Sequence, residues 1–221
     1  MHVLVLGATG NLGSRLLSAL LQRGHTVSAF VRDPAKLSSS LTPHLTSIET
    51  GDARKATEIK GAVLRTKCDA IVNTAGLAAA APWGHSDLPA IVDAVIAAAL
   101  ETGRERGSPL RVWLLGGVKF FPEHRGTWAK LQSLPPNSML WSILCPGEMR
   151  PLSPVTYPLA SAASAENIVA QASTPPAWTG RFHQVVGYAT KLEHCADFIA
   201  GDLAEGAGSQ WVGRKVGVRA R

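Results

Sequence analysis

The chain has 221 residues, of which 46% are hydrophobic, 17% charged and 6% aromatic, and its formal charge is +6. That length buries a substantial core, and the composition excludes a disordered chain or a coiled coil. The positive balance suits an anionic cofactor, whereas nucleic acid is not expected as a partner, because the basic residues are scattered and the terminal GRKVGVRAR reads as a solvated tail.

Cys68, Cys145 and Cys195 are odd in number and widely spaced, with no CxxC pair and no histidine at ligand spacing, so neither a disulfide framework nor a metal site is expected. Met1 and His2 lead directly into VLVLG without a signal-like region. No apolar stretch reaches the roughly 18 uninterrupted residues of a membrane span. The expectation is a cytoplasmic protein, monomer or homodimer, with no membrane partner.

In chain order, Val3 to Leu6 is a short aliphatic strand, and Leu12 to Leu21 has helical spacing, with Gly24 as its stop. TVSAFVR is a second strand, followed by DPAKL as a turn or short helix. TSIETGD is a third strand, ARKATEIKGAVL a helix, CDAIVNTAG a fourth strand, LPAIVDAVIAAALETG a long helix and LRVWLLGG a fifth strand. Beyond Gly117 the pattern loosens. GTWAKLQSL is a short helix and SMLWSILCPG a sixth strand, followed by a Pro- and Ser-rich excursion with a helix from Ser164 to Ala172. RFHQVVGY, EHCADFIAGDLA and WVGRKVGV then form strand, helix and strand. Nearly continuous aliphatic strands alternating with helices predict a doubly wound parallel α/β sheet of the Rossmann type. Residues 1–221 form one domain, in which 118–180 supply the loops of a small C-terminal substrate-side portion.

GATGNLG joins the first strand to the first helix. There Gly7, Gly10 and Gly13 permit a tight turn, close backbone approach to a pyrophosphate and close packing of helix on strand. Thr9, Asn11 and Leu12 complete the cofactor-binding turn. At the end of the second strand an acidic residue would accept the ribose hydroxyls of NAD, whereas a basic one would pair with the 2′-phosphate of NADP. Arg32 stands there, so NADP(H) is the expected cofactor, with Lys36 as a second cation. The alternative is a solvated Arg32 with Asp33 as the ribose ligand.

GATGNLG, FVRDPAKL, GDARKATEIKGAV, CDAIVNTAG, RVWLLGG and WSILCPGEM together resemble the short-chain dehydrogenase/reductase superfamily, nearest its extended and atypical branches with their NmrA-like proteins. The resemblance implies an adenine-side contact for Asp52, which equally suits a helix cap, and places Ala75 and Gly76 beneath the cofactor. It also implies a serine after the fifth strand and a Tyr-x-x-x-Lys in the next helix. Here Gly116 and Gly117 stand at the serine position, while Ser161 and Leu192 follow four residues after the two tyrosines, Tyr157 and Tyr188.

Another proton source is therefore needed for catalysis. Lys119 and His124, in GGVKFFPEHRGTW beyond the fifth strand, and Glu148, after the sixth, are the candidate catalytic groups; Glu123 lies between them in sequence and Arg125 is a candidate for holding an acidic phenol. Each is also readable as a surface charge. Trp83 and Trp128 follow strand ends and suit the wall of an aromatic pocket, whereas Trp113 and Trp141 lie inside strands and read as core.

AAPWGHSDLP, PLRVWLLGG, FPEHRGTW and WSILCPGEMRPLSP resemble the averufin oxidase A family of fungal aromatic polyketide pathways. That implies a polycyclic phenolic substrate of anthraquinone or xanthone type in secondary metabolism. Three functions follow: an NADPH-dependent oxidoreductase; a non-redox isomerase, cyclase, dehydratase or epoxide-opening enzyme on the same substrate class; and a catalytically inactive NADP(H) sensor.

Overall fold

A strand made only of aliphatic residues is stable where helices cover both of its faces. Such a run, Val3 to Leu6, is fully buried and forms all but the first residue of β1 (His2–Leu6), an interior strand of the sheet. The computed structural model describes residues 1–76, 86–116, 122–146, 148–159, 168–172 and 189–220. Their strands are β2 (Thr26–Val31), β3 (Ser47–Thr50), β4 (Ala70–Asn73), β5 (Arg111–Leu115), β6 (Leu140–Pro146), β7 (Glu148–Arg150), β8 (Ile168–Ala172), β9 (Ala189–Lys191) and β10 (Arg214–Ala220). The helices are α1 (Asn11–Gln22), α2 (Ala56–Thr66), α3 (Leu88–Arg106), α4 (Pro122–Gln132) and α5 (Leu192–Glu205).

The main sheet runs β3-β2-β1-β4-β5-β6-β10-β8. Its first seven strands are parallel, and β8 closes the edge antiparallel to β10. The order reverses between β1 and β4, and ligands of open α/β sheets bind at that switch point, outside the strands' carboxyl ends. α1 and α5 share one core with Val3, Val5, Val27 and Val216, while α2, α3 and α4 share the other with Leu4, Leu6, Ile71 and Ile143. Gly24 adopts φ +77° and ends α1, as its sequence predicts.

Three expectations are corrected. The helix predicted from Ser164 to Ala172 is not formed at its end: Ile168–Ala172 is the strand β8, because the open edge of β10 supplies a ladder. The terminal GRKVGVRAR is not a solvated tail, since Arg214–Ala220 forms β10 with Val216 and Val218 fully buried. The helix predicted from Gly126 begins earlier, at Pro122, a residue whose missing amide and fixed φ suit a first turn. The predicted strand RFHQVVGY lies outside the described residues. A small second sheet pairs β7 with β9. No helix among the described residues is long and apolar enough to cross a membrane.

Candidate functional site

At the carboxyl end of β1 the chain reverses at Gly7, whose φ of +77° lies in the left-handed region and whose Cβ, if present, would stand 2.5 Å from the Ala75 nitrogen. Gly13 has a different constraint, because a Cβ there would meet the Gly7 oxygen at 2.1 Å. The three-residue spacing thus places α1 directly against β1. Gly10 is the N-cap of α1 and carries no side chain to satisfy the helix, whose first turn has no acidic residue. The first-turn amides of Asn11, Leu12 and Gly13 have no intrahelical acceptor, and such an open turn receives an anionic group. Thr9, Gly10 and Asn11 are exposed around it.

The end of β4 forms the adjacent lip. Thr74 Oγ1 donates to the Leu6 oxygen at 2.7 Å, tying the ends of β1 and β4 together. The Ala75 amide donates to Asn73 Oδ1 at 3.1 Å. Gly76 follows at φ +97°, where a Cβ would lie 2.9 Å from Leu88 Cδ1 at the start of α3. Gly7, Ala75 and Gly76, far apart in sequence, are thereby brought to one place.

Beyond β2, Arg32 is exposed and makes no hydrogen bond or ion pair among the described residues. Asp33 instead closes a short 3-10 turn, Pro34–Lys36, by accepting from the Ala35 amide at 3.1 Å. Lys36 stands 3.9 Å from Asp33 in a solvent-exposed pair. Beyond β3, Asp52 accepts from the Arg54 amide at 3.0 Å and from its guanidinium at 2.6 to 3.0 Å. Those bonds hold its carboxyl down at about 2. Asp52 therefore caps its own turn; the N-cap of α2 is Lys55. The other side of the Arg54 guanidinium lies 3.7 Å from Asp87, just before α3.

At the end of β5, the Gly116 amide donates to the Leu144 oxygen at 2.7 Å. A Cβ there would stand 2.5 Å from Ile143 Cγ2 and 3.2 Å from Cys145 Sγ, so this position has no room for a side chain. Burial pushes the Cys145 thiol up to about 11, which keeps it protonated near neutral pH and removes it as a nucleophile. Trp83, Gly117, Lys119 and Tyr188 lie outside the described residues. The backbone places Glu123, His124 and Arg125 in the first turn of α4 and Glu148 at the start of β7, while their side chains lie outside the described set.

Trp128 packs edge to face on Trp141, with ring centroids 5.7 Å apart, and the Lys215 ammonium stands 4.0 Å from its centroid. Trp141 is the second residue of β6 and pairs with Val112, so this contact sits toward the end of the sheet opposite the glycine turn. Trp113 is fully buried, as expected for core. The Tyr157 and His44 rings lie 4.4 Å apart, tilted by 42°.

Sequence reasoning missed a polar stripe on α1. Arg15 Nε donates to Glu193 at 2.5 Å, and its guanidinium also donates to the Asn11 and Ser153 oxygens. Ser18 Oγ donates to the Thr156 oxygen at 2.8 Å, and Gln22 Oε1 accepts from the Leu159 amide at 3.2 Å. Residues 153, 156 and 159 thus follow α1 from its first turn to its end. Glu193 also accepts from the Leu152 and Ser153 amides. Burial opposes its charge, but Arg15 and these amides outweigh burial and hold the carboxyl below its ordinary range. The i, i+3, i+7 spacing of Arg15, Ser18 and Gln22 was the available signal, and it looks like an ordinary solvent face.

An NAD(P)H-binding family model matches residues 7–113. A 3-diazoavenalumate denitrifying reductase from a Streptomyces species is 38% identical over 73 residues, 33% of this chain; the match spans only 22% of that reductase. Among solved structures, an anaerobilin reductase from Escherichia coli O157:H7 superposes with a TM-score of 0.65 at 18% identity, covering 100% of this chain and 97% of that one. A short-chain dehydrogenase/reductase from Veillonella parvula does so with 0.66 at 12% identity, covering 99% and 94%. At these identities the structural likeness is one of fold. The chain carries an NAD(P)H-binding Rossmann fold.

Proposed function

We propose that this protein is an NADPH-dependent oxidoreductase acting on a polycyclic aromatic substrate of anthraquinone or xanthone type. The pyrophosphate rests on the first-turn amides of Asn11, Leu12 and Gly13, with Gly7, Thr9 and Gly10 forming the turn around it. Ala75 and Gly76 pass beneath the nicotinamide half. The observation that carries the choice of NADPH is Arg32, whose exposed guanidinium is unpaired among the described residues while neighbouring Asp33 is engaged in its own turn. A guanidinium with free edges receives a phosphate in two parallel hydrogen bonds, and Lys36 adds charge nearby.

NADPH supplies a hydride when bound. A carbonyl reduced in this way would need a proton at its oxygen from a group of this chain. Lys119, His124 and Glu148 are the candidate proton sources, because their chain positions follow the carboxyl ends of β5 and β6. The aromatic substrate rests on the resemblance to the averufin oxidase A family; the Streptomyces match supports reduction as the reaction type. Trp83, Arg125 and Trp128 remain candidates for the substrate side, and Trp128 is braced by its edge-to-face contact with Trp141.

The test is a titration with NADPH and NADH followed by turnover with a hydroxyanthraquinone. NADPH is expected to bind more tightly, to lose that advantage in Arg32→Ala, and to be consumed in step with product. Equal affinity for both dinucleotides would overturn the cofactor choice, and binding without consumption would overturn the redox reaction. Gly116 favours a second reading, since a serine cannot be accommodated there: non-redox isomerisation, cyclisation, dehydration or epoxide opening on the same substrates. Product formation at constant nicotinamide absorbance would select it.

A further inference from the structure

Arg54 lies two residues beyond Asp52, and no role is assigned to it by the glycine turn, by Arg32 or by the proton donors. Its Nε stands 3.0 Å from both carboxylate oxygens of Asp52, and Nη2 is 2.6 Å from Oδ2. Nη1 faces Asp87 at 3.7 Å. A guanidinium recognises partners either through the N–H groups on its edge or through its planar faces. Here Asp52 occupies the Nε–Nη2 edge and Asp87 stands near Nη1, while the side chain remains 46% exposed, so a further partner would meet its faces.

The placement of the bridge identifies what those faces meet. β2 and β3 end side by side, with Val31 paired to Thr50 and the Gly51 amide donating to the Val31 oxygen at 3.0 Å. Arg54 thus follows the β3 exit, which adjoins the β2 exit that carries Arg32. Its other anchor, Asp87, adjoins Leu88, the residue that closes over Gly76 at the exit of β4. The bridge spans the gap between the β3 and β4 exits, on the α2 and α3 side. With the pyrophosphate on α1 and the 2′-phosphate at Arg32, the purine is the group that enters this gap.

We infer that Arg54, held edge-on by Asp52 and Asp87, is the stacking wall for the adenine ring of the dinucleotide. The inference rests on the dinucleotide site proposed above and adds a division of labour: Arg32 reads phosphate through its edge, and Arg54 holds the base through its face. Asp52 then acts as a positioning residue, since its carboxylate is engaged by Arg54.

Adenine is common to NADPH and NADH, whereas the 2′-phosphate is not, and this difference supplies the test. Calorimetric titration of Arg54→Ala is expected to weaken both dinucleotides by the same factor, roughly tenfold for loss of one stacking contact, leaving the ratio of the two affinities unchanged. Arg54→Lys, which keeps the charge and loses the plane, should resemble Arg54→Ala. Asp52→Asn should give a smaller loss in the same ratio, and thermal melts should establish that the variants are folded. Unchanged affinities in Arg54→Ala, a loss confined to NADPH, or full rescue by lysine would each overturn the inference while leaving the cofactor site standing. Wild-type protein that bound neither dinucleotide would overturn both.

Discussion

Two buried arginines reach α5 from opposite ends of the molecule, and their surroundings differ. Arg111, the first residue of β5, pairs with Asp202 at 2.7 Å near the end of α5, and both side chains are 1% exposed. Asp202 also accepts from the Trp113 indole and from Ser209, and Arg111 from its side donates to Ser142 and to the Leu140 oxygen. This network joins core strands to a core helix. Arg15 and Glu193, at the other end of α5, are nearly as buried, but they engage backbone in the first turn of α1 and at Leu152 and Ser153. One pair therefore secures the core, while the other also shapes the glycine-turn end and the segment that follows β7. Breaking a buried pair is costly in either place, because it leaves an uncompensated charge.

The largest expected effect is from Asp202→Ala, which strands Arg111 and the Trp113 indole and should destabilise by about 3–5 kcal/mol. Urea denaturation measures the loss, and the folded fraction should bind NADPH as wild type does. Glu193→Ala should cost somewhat less, about 2–4 kcal/mol, because its stranded partners lie nearer solvent. It should also lower NADPH affinity severalfold, since Arg15 holds the Asn11 carbonyl at the anion-binding turn. Equal NADPH affinities in the two variants would dissolve the distinction between the ends of α5. Ser18→Ala removes a single hydrogen bond to Thr156, and a loss of about 0.5–1.5 kcal/mol without change in affinity is expected. A change in affinity there would extend the cofactor-end network along the whole of α1.

The smallest effect is a pH dependence at the same seam. His25, just beyond α1, places Nε2 2.9 Å from the Ala200 oxygen in α5, and burial, opposed by that hydrogen bond, lowers its pKa from 6.5. A group harder to protonate in the folded state than in the unfolded one favours unfolding as it takes up a proton. Stability is therefore retained above pH 6.5 and falls as pH drops below 6.5 through the lowered value. His25→Gln should flatten that slope in thermal melts; an unchanged slope would assign it elsewhere, to His2 for example, whose pKa burial also lowers.

The glycine turn was legible because its determinants are local. Gly7, Gly10 and Gly13 announce their roles by spacing between an aliphatic run and an amphipathic one, and the alternation of strands and helices predicts a parallel sheet. The strap across α1 was not, because Arg15 and Glu193 are 178 residues apart and either alone reads as a solvated charge. β8 was misread for a related reason: an alanine-rich stretch suits a helix until the open edge of β10 is known to lie beside it. Arg54 was passed over because its partner Asp87 becomes its neighbour only when α2 and α3 pack together.

By itself, then, the sequence determined the doubly wound order, the glycine turn and the basic residue at the end of β2, since period, steric size and charge act within a few residues. Tertiary structure decided that Arg54 pairs with both Asp52 and Asp87 while Arg32 stays exposed, that Gly116 has no space beside Ile143, and that α1 carries residues 153–159 along its flank. Those outcomes depend on contacts between distant segments, whose geometry is set only when the two cores close on either side of the sheet.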